Sequence, residues 1–309
     1  MFAKEDSPLT RFLASLATTL SRKGRGYALP LTNGIWIVAA LATCLAPAHA
    51  ADSSAPHRVV SLNMCTDELL LRLAPERVAS VTWLSRDSGT SNVAVLAAVT
   101  PVNHGLAEEI IPSQPDLVLA GAYTTRTAVD LLTRTQFRVA EFGIPASFAA
   151  IDAQIREVAA LLDQSARGEA LVREIESGLE AIGPPPQGPR PTALVLNPNG
   201  LTVGPGTLAD AVMARAGLDN LAARMSLGDY RQLPIETVAA AAPDILIVSA
   251  AADGPPSLAT QMLHHPVIAR LPRTRVVTLP GRLWACGGPG VVDAVARLRA
   301  AADAVRAGR

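Results

Sequence analysis

Cys65 and Cys286 lie 221 residues apart, and a third cysteine, Cys44, sits in an apolar run near the N-terminus. A thiol pair can close a disulfide, remain as two buried thiols, or ligate haem iron or a soft metal. Cys65 directly precedes a helical pattern over Asp67–Leu73. A helix start stabilises a thiolate, so all three readings stand open for the pair. Cys65 with His104 could also form a nucleophile pair, yet no motif surrounds either residue, and the chain reads as a binder rather than an enzyme. No Cys-x-x-Cys or His-x-x-x-His spacing occurs, so no metal site is assigned and no resident cofactor is expected. The glycine-rich turns Gly204-Pro-Gly206 and Gly287-Gly288-Pro-Gly290 lack the P-loop pattern.

Aromatic residues make up only 4% of the chain. Four of them, Trp83, Tyr123, Tyr230 and Trp284, fall in or near loops that follow predicted strands. In parallel α/β sheets ligands bind beyond the carboxyl ends of the strands. A rigid ring offers a large flat contact there, and tyrosine adds a polar tip. Cys65, Trp83, Tyr123, Tyr230 and Trp284 are therefore the candidate ligand-binding set, suited to a flat and bulky molecule.

The elements that must position these residues alternate. Strands are predicted at Val59–Leu62, Val78–Thr82, Asp116–Ala120 and Val139–Phe142, with helical spacing at Asp67–Leu73 and Thr127–Thr135. Apolar residues at Phe148, Ile151, Ile155, Val158 and Leu162, then Leu171, Val172, Ile175, Leu179 and Ile182, mark a long helical connector. Gly183-Pro-Pro-Pro186 ends it. A second set of strands follows at Ala193–Asn197, Asp244–Ser249 and Val276–Leu279, with helices at Thr207–Ala216 and Val291–Arg306. The expected fold is α/β: two Rossmann-like lobes with mostly parallel sheets, 57–146 and 190–309, joined by a connector and Pro-rich linker over 147–189.

The halves echo one another. Glu108 is followed by Pro115-Asp116 and the strand Leu-Val-Leu; Glu236 is followed by Pro243-Asp244 and Ile-Leu-Ile. The spacing from Glu to Pro-Asp is the same in both, which points to two related lobes.

With Arg58-Val-Val-Ser-Leu, Gln114-Pro-Asp-Leu-Val-Leu-Ala, Ile235-Glu-Thr-Val, Pro243-Asp-Ile-Leu-Ile-Val and His265-Pro-Val-Ile in this order, the chain from residue 57 to about 305 resembles the substrate-binding proteins of cobalamin and ferric-siderophore ABC importers. The resemblance implies two lobes bridged by one long α-helix, and a bulky metal-chelate ligand, a corrinoid or ferric siderophore, held in the cleft between them. It also implies delivery to a transmembrane permease, docked through one glutamate per lobe. Glu108 and Glu236 match those positions, with Glu109 the competitor in the first lobe. A haem-binding protein of the same scaffold using Cys65 and Cys286, or a ligand sensor without a transport role, are the alternatives it leaves.

Composition supports an exported, folded chain. It is 49% hydrophobic and 17% charged, with formal net charge zero, which excludes a disordered chain and leaves no electrostatic footprint for nucleic acid. Arg22, Lys23 and Arg25 precede the apolar run Gly34–Leu45 and the small-residue site Ala48-His49-Ala50, so residues 1–50 read as a signal peptide and the protein as periplasmic. A lipid anchor at Cys44 ranks below this, because Thr43 fits a lipobox poorly.

Overall fold

The computed structural model describes residues 55–225, 230–249 and 257–308. The signal-peptide reading and Cys44 lie outside the described residues. No helix among the described residues is long and apolar enough to cross a membrane.

Strands β1 (Val59–Ser61), β2 (Val78–Thr82), β3 (Val102–Asn103), β4 (Leu117–Gly121) and β5 (Val139–Phe142) form one parallel sheet in the order β3-β2-β1-β4-β5. In the second half, β6 (Thr192–Leu196), β7 (Leu201–Val203), β8 (Asp219–Asn220), β9 (Tyr230–Gln232), β10 (Ile245–Ser249) and β11 (Arg275–Leu279) follow. Of these, β11-β10-β6-β8 make a parallel sheet, while β7 and β9 pair antiparallel beside it. Helices separate the parallel strands, and central strands such as β4 are buried throughout, as parallel sheets covered on both faces require.

The repeated Pro-Asp has a physical role in both halves. The Asp116 carboxylate accepts from the backbone N–H groups of His57 (2.6 Å) and Arg58 (3.0 Å), at the entry of β1. The Asp244 carboxylate accepts from the N–H and the hydroxyl of Thr192, both at 2.7 Å, at the entry of β6. Each aspartate thus ties the start of its own strand to the neighbour with which that strand pairs. Gln114 and Ala242, each shortly before its Pro-Asp, both adopt the left-handed conformation that stops the preceding helical turn.

The connector is two helices, Phe148–Leu161 and Ser165–Ile182, rather than a single rod. Asp163, at φ 51°, turns the chain between them. They pack together as a hairpin, and the approach is close: a Cβ on Gly168 would fall 2.5 Å from that of Ala159. The first helix packs on Met64–Leu73 of the N-terminal half, the second on Gly290–Ala307 of the C-terminal half. One apolar cluster consequently runs from Val59, Leu117 and Leu119 through Ile151, Ile155, Val172 and Ile175 to Val195, Ile245, Ile247 and Val295. Separate clusters cover the outer faces of the two sheets.

Candidate functional site

A cavity of about 780 Å³ opens between the halves, at the carboxyl ends of both sheets. From the N-terminal half its wall takes Leu62 after β1, Thr82 and Leu84 at the end of β2, Gly121 to Tyr123 from the last residue of β4 onward, and Phe142 to Pro145 from the last residue of β5 onward. The C-terminal half supplies Asn197 after β6, Leu201 and Val203 of β7, Tyr230 of β9, and Gly281, Trp284 and Ala285 after β11. Gln154 reaches in from the connector and donates to the Gly143 carbonyl at 2.8 Å.

Four of the five candidate residues meet here. Tyr123 comes from one half and is 75% exposed; Tyr230 comes from the other and is 46% exposed. A second hollow of about 230 Å³, between Ala122–Tyr123, Ile144–Ala146 and Gly206–Leu208, shares both tyrosines, so the pair stands between a main chamber and a side chamber. Trp284 forms part of the wall and packs against the core. Trp83 is not brought in. The turn Trp83–Arg86 directs Leu84 to the cavity and leaves Trp83 outside, 51% exposed, with its ring centroid 6.5 Å from that of His104. Within a tight turn adjacent side chains diverge, and a strand-end rule cannot choose between them.

Gly121 is required where the loop to Tyr123 begins. A Cβ there would lie 2.4 Å from the Asn63 side chain. Asn63 in turn caps the helix Met64–Leu73, its side-chain oxygen accepting from the Cys65 N–H at 2.9 Å. The helix therefore starts three residues earlier than the apolar spacing indicated, and Cys65 lies in its first turn.

Cys65 and Cys286 are joined in a disulfide. The sulfur atoms are spent on each other, which corrects the thiolate-ligand reading and, with it, a haem site built on these cysteines. It also removes the nucleophile pair with His104, whose ring instead meets Glu109 at 3.0 Å. The bridge fastens the start of helix Met64–Leu73 to the loop after Trp284, at the edge of the cavity. A polar seam adds to it. Asn92 donates to the Arg282 carbonyl at 2.7 Å, Arg282 donates back to Asn92 Oδ1 at 2.9 Å, and Asn92 also donates to Glu68 at 3.2 Å. Burial pushes the Glu68 carboxyl above its usual range, partly offset by the nearby Arg72 guanidinium.

Behind the cavity wall lies Asp67, fully buried. One of its oxygens accepts from the Thr82 N–H (3.1 Å), the Thr82 hydroxyl (2.5 Å) and the Ser85 hydroxyl (2.6 Å). The other oxygen has no partner among the described residues. Loss of hydration outweighs those donors and pushes the carboxyl up to about 6. Asp67 thereby fixes the end of β2 and the turn that carries Leu84.

Glu108 and Glu236 are both exposed, each in the first turn of a short helix, Ala107–Ile110 and Ile235–Ala241. The first follows β3; the second follows β9, whose Tyr230 lines the cavity. Neither forms an ion pair among the described residues. Glu109 is engaged: its carboxylate accepts from the His104 N–H at 2.6 Å, and this bond with the imidazole contact holds it below the usual carboxylate range.

The sequence reading missed the wall after β5 (Ile144, Pro145), the contribution of β7, and Gln154. Gly143 after a predicted strand was the available signal for the first. Among the described residues no group of three or more His, Cys, Asp or Glu is arranged to hold a metal ion.

A family model described as periplasmic binding protein matches residues 59–282. No curated protein matches in sequence. Solved structures do. The periplasmic heme-binding protein RhuT from Roseiflexus sp. RS-1 is 23% identical, with a TM-score of 0.65 over 81% of this chain and 99% of that one. A periplasmic heme-binding protein from Pseudomonas aeruginosa is 21% identical, TM-score 0.65, over 80% and 92%. The periplasmic vitamin B12 binding protein BtuF of Vibrio cholerae is 16% identical, TM-score 0.61, over 82% and 98%. At these identities the likeness concerns the fold.

Proposed function

Because the chain belongs to the periplasmic binding protein family, we propose that it captures a bulky metal-chelate ligand, a corrinoid or ferric siderophore, and delivers it to the permease of an ABC importer. The observation that carries this reading is the cavity itself. It is about 780 Å³, large enough for a macrocycle, apolar in most of its wall, and flanked by one tyrosine from each half. The family is one of binding proteins, and capture asks for no catalytic group.

Glu108 and Glu236 serve as the two docking carboxylates. They suit the task because both are exposed in the first turn of a short helix, neither forms an ion pair among the described residues, and carboxylate–arginine pairs fix geometry as well as attraction. Glu109 is the weaker candidate because His104 already occupies it. The protein works in the periplasm after removal of residues 1–50, where a disulfide persists.

The test is an absorption and fluorescence titration of the purified protein with cyanocobalamin, haemin and a panel of ferric siderophores. Saturable one-to-one binding of a member of the panel, quenching Trp284, is expected. If every chelate fails to bind, the capture reading is refuted.

A further inference from the structure

We infer that the cleft selects a ligand whose buried face carries no net charge: a chelate dressed with amide or hydroxyl groups rather than with carboxylates, catecholates or other anions. The inference rests on the capture reading and narrows it.

Among the described residues, the cavity wall holds no Asp, Glu, Arg, Lys or His. Its polar groups are the amides of Asn63, Gln154 and Asn197 and the hydroxyls of Thr66, Thr82, Tyr123 and Tyr230. Several of these have spare capacity. The amide nitrogen of Asn63 and the whole side-chain amide of Asn197 make no hydrogen bond with a described residue, while the Gln154 nitrogen is bonded and its oxygen is not. An amide can both donate to and accept from a ligand amide, and it compensates an anion poorly.

The absence of cations is not for want of arginines nearby. Six lie within three residues of wall residues and none lines the cavity: Arg72 pairs with Glu68, Arg86 donates to the Ala97 and Thr100 carbonyls, and Arg156 pairs with Glu169. Arg126, shortly after Tyr123, pairs with Glu141. Arg231, next to Tyr230, lies opposite Thr202 in the β7–β9 ribbon, whereas Val203 and Tyr230 form the neighbouring pair that faces the cavity; successive residues of a strand point to opposite faces. Arg282, between Gly281 and Trp284, is bonded to Asn92 in the seam. Residues 226–229 and 250–256, which fall outside the described residues, contain Asp229 and Asp253 and no Arg, Lys or His. An anionic group carried into this wall would therefore lose its hydration without gaining a counter-charge.

The decisive comparison keeps the ring constant and removes its two carboxylate charges, at the addition of two methyl groups. Haemin carries two propionates; its dimethyl ester carries none. The ester is expected to bind at least about tenfold more tightly than haemin at pH 7, a difference of about 1.4 kcal/mol. Dicyanocobinamide and the uncharged ferric trihydroxamate ferrichrome should likewise outbind a ferric tris-catecholate. Gln154→Arg should raise haemin affinity by about tenfold by supplying the missing cation, and Asn197→Arg is the second variant should the first fail to fold. Haemin binding as tightly as its ester, or the tris-catecholate outbinding the uncharged chelates, overturns the inference and leaves the capture reading intact. Failure of all probes overturns both.

Discussion

Replacing both cysteines, Cys65→Ser with Cys286→Ser, should cost the protein much of its stability and little of its fold. The bridge closes a loop with a sequence separation of 221. The chain-entropy relation gives about 5 kcal/mol for a loop of that size. Residual order in the unfolded chain lowers the yield, so about 2–5 kcal/mol is expected. For a domain of this length that corresponds to a fall in Tm of about 5–15 °C. The native arrangement should survive, because Asn92, Arg282 and Glu68 still join the halves and the connector hairpin still packs on both. Calorimetry and circular dichroism on the double variant, beside the parent with and without reductant, measure the effect. Two readily titrated thiols in the unreduced parent, or a Tm unchanged within about 2 °C, would refute the reasoning.

Asp67 should impose a pH dependence with an unusual sign. Burial raises its carboxyl from 3.8 to about 6, so the folded state binds the proton more tightly than the unfolded state. Its contribution is most favourable below about pH 4, declines as pH rises through 6, and totals about 3 kcal/mol; Asp67→Asn should remove that slope in denaturation curves taken from pH 4 to 7.5, and an unchanged slope contradicts the assignment. Tyr123→Ala and Tyr230→Ala should each weaken chelate binding tenfold to a hundredfold, about 1–3 kcal/mol, with the far-ultraviolet spectrum preserved; affinities within twofold of the parent would remove the tyrosines from the site. Glu108→Ala and Glu236→Ala should abolish stimulation of uptake by the cognate permease while leaving solution affinity for the chelate as in the parent. Undiminished uptake with both glutamates replaced would show that docking uses other groups.

Much of the scaffold was legible because a few patterns are over-determined. The buried strands are aliphatic runs, and β2 and β5 fall where the sequence placed them. The Pro-Asp echo proved to be one hydrogen-bonding device used twice, with Asp116 and Asp244 each anchoring the strand that pairs beside them. The short elements β3, β7, β8 and β9 were not legible, since no periodicity can develop over two or three residues and none carries the aliphatic run that marked the equally short β1. The break in the connector was hidden for another reason. Leu161-Leu162-Asp163-Gln164 contains neither glycine nor proline, and the turn is made by Asp163 in the left-handed region, a conformation aspartate tolerates without announcing it in the sequence.

The site divides along a similar line. Which loops form the cleft follows from strand direction alone, and four aromatic or cysteine positions came with them. Which side chain of a loop turns inward depends on contacts made elsewhere. Trp83 leans toward His104 and yields its place to Leu84; Arg126, Arg231 and Arg282 are drawn away by Glu141, by strand alternation and by Asn92. The charge-free character of the wall is therefore a property of partners outside the wall. Releasing one of them should change what the cleft accepts: Glu141→Gln frees Arg126 beside Tyr123, and haemin affinity should then rise relative to that of its dimethyl ester. An unaltered ratio would mean that Arg126 cannot reach the mouth, and that the selectivity is set by the wall amides alone.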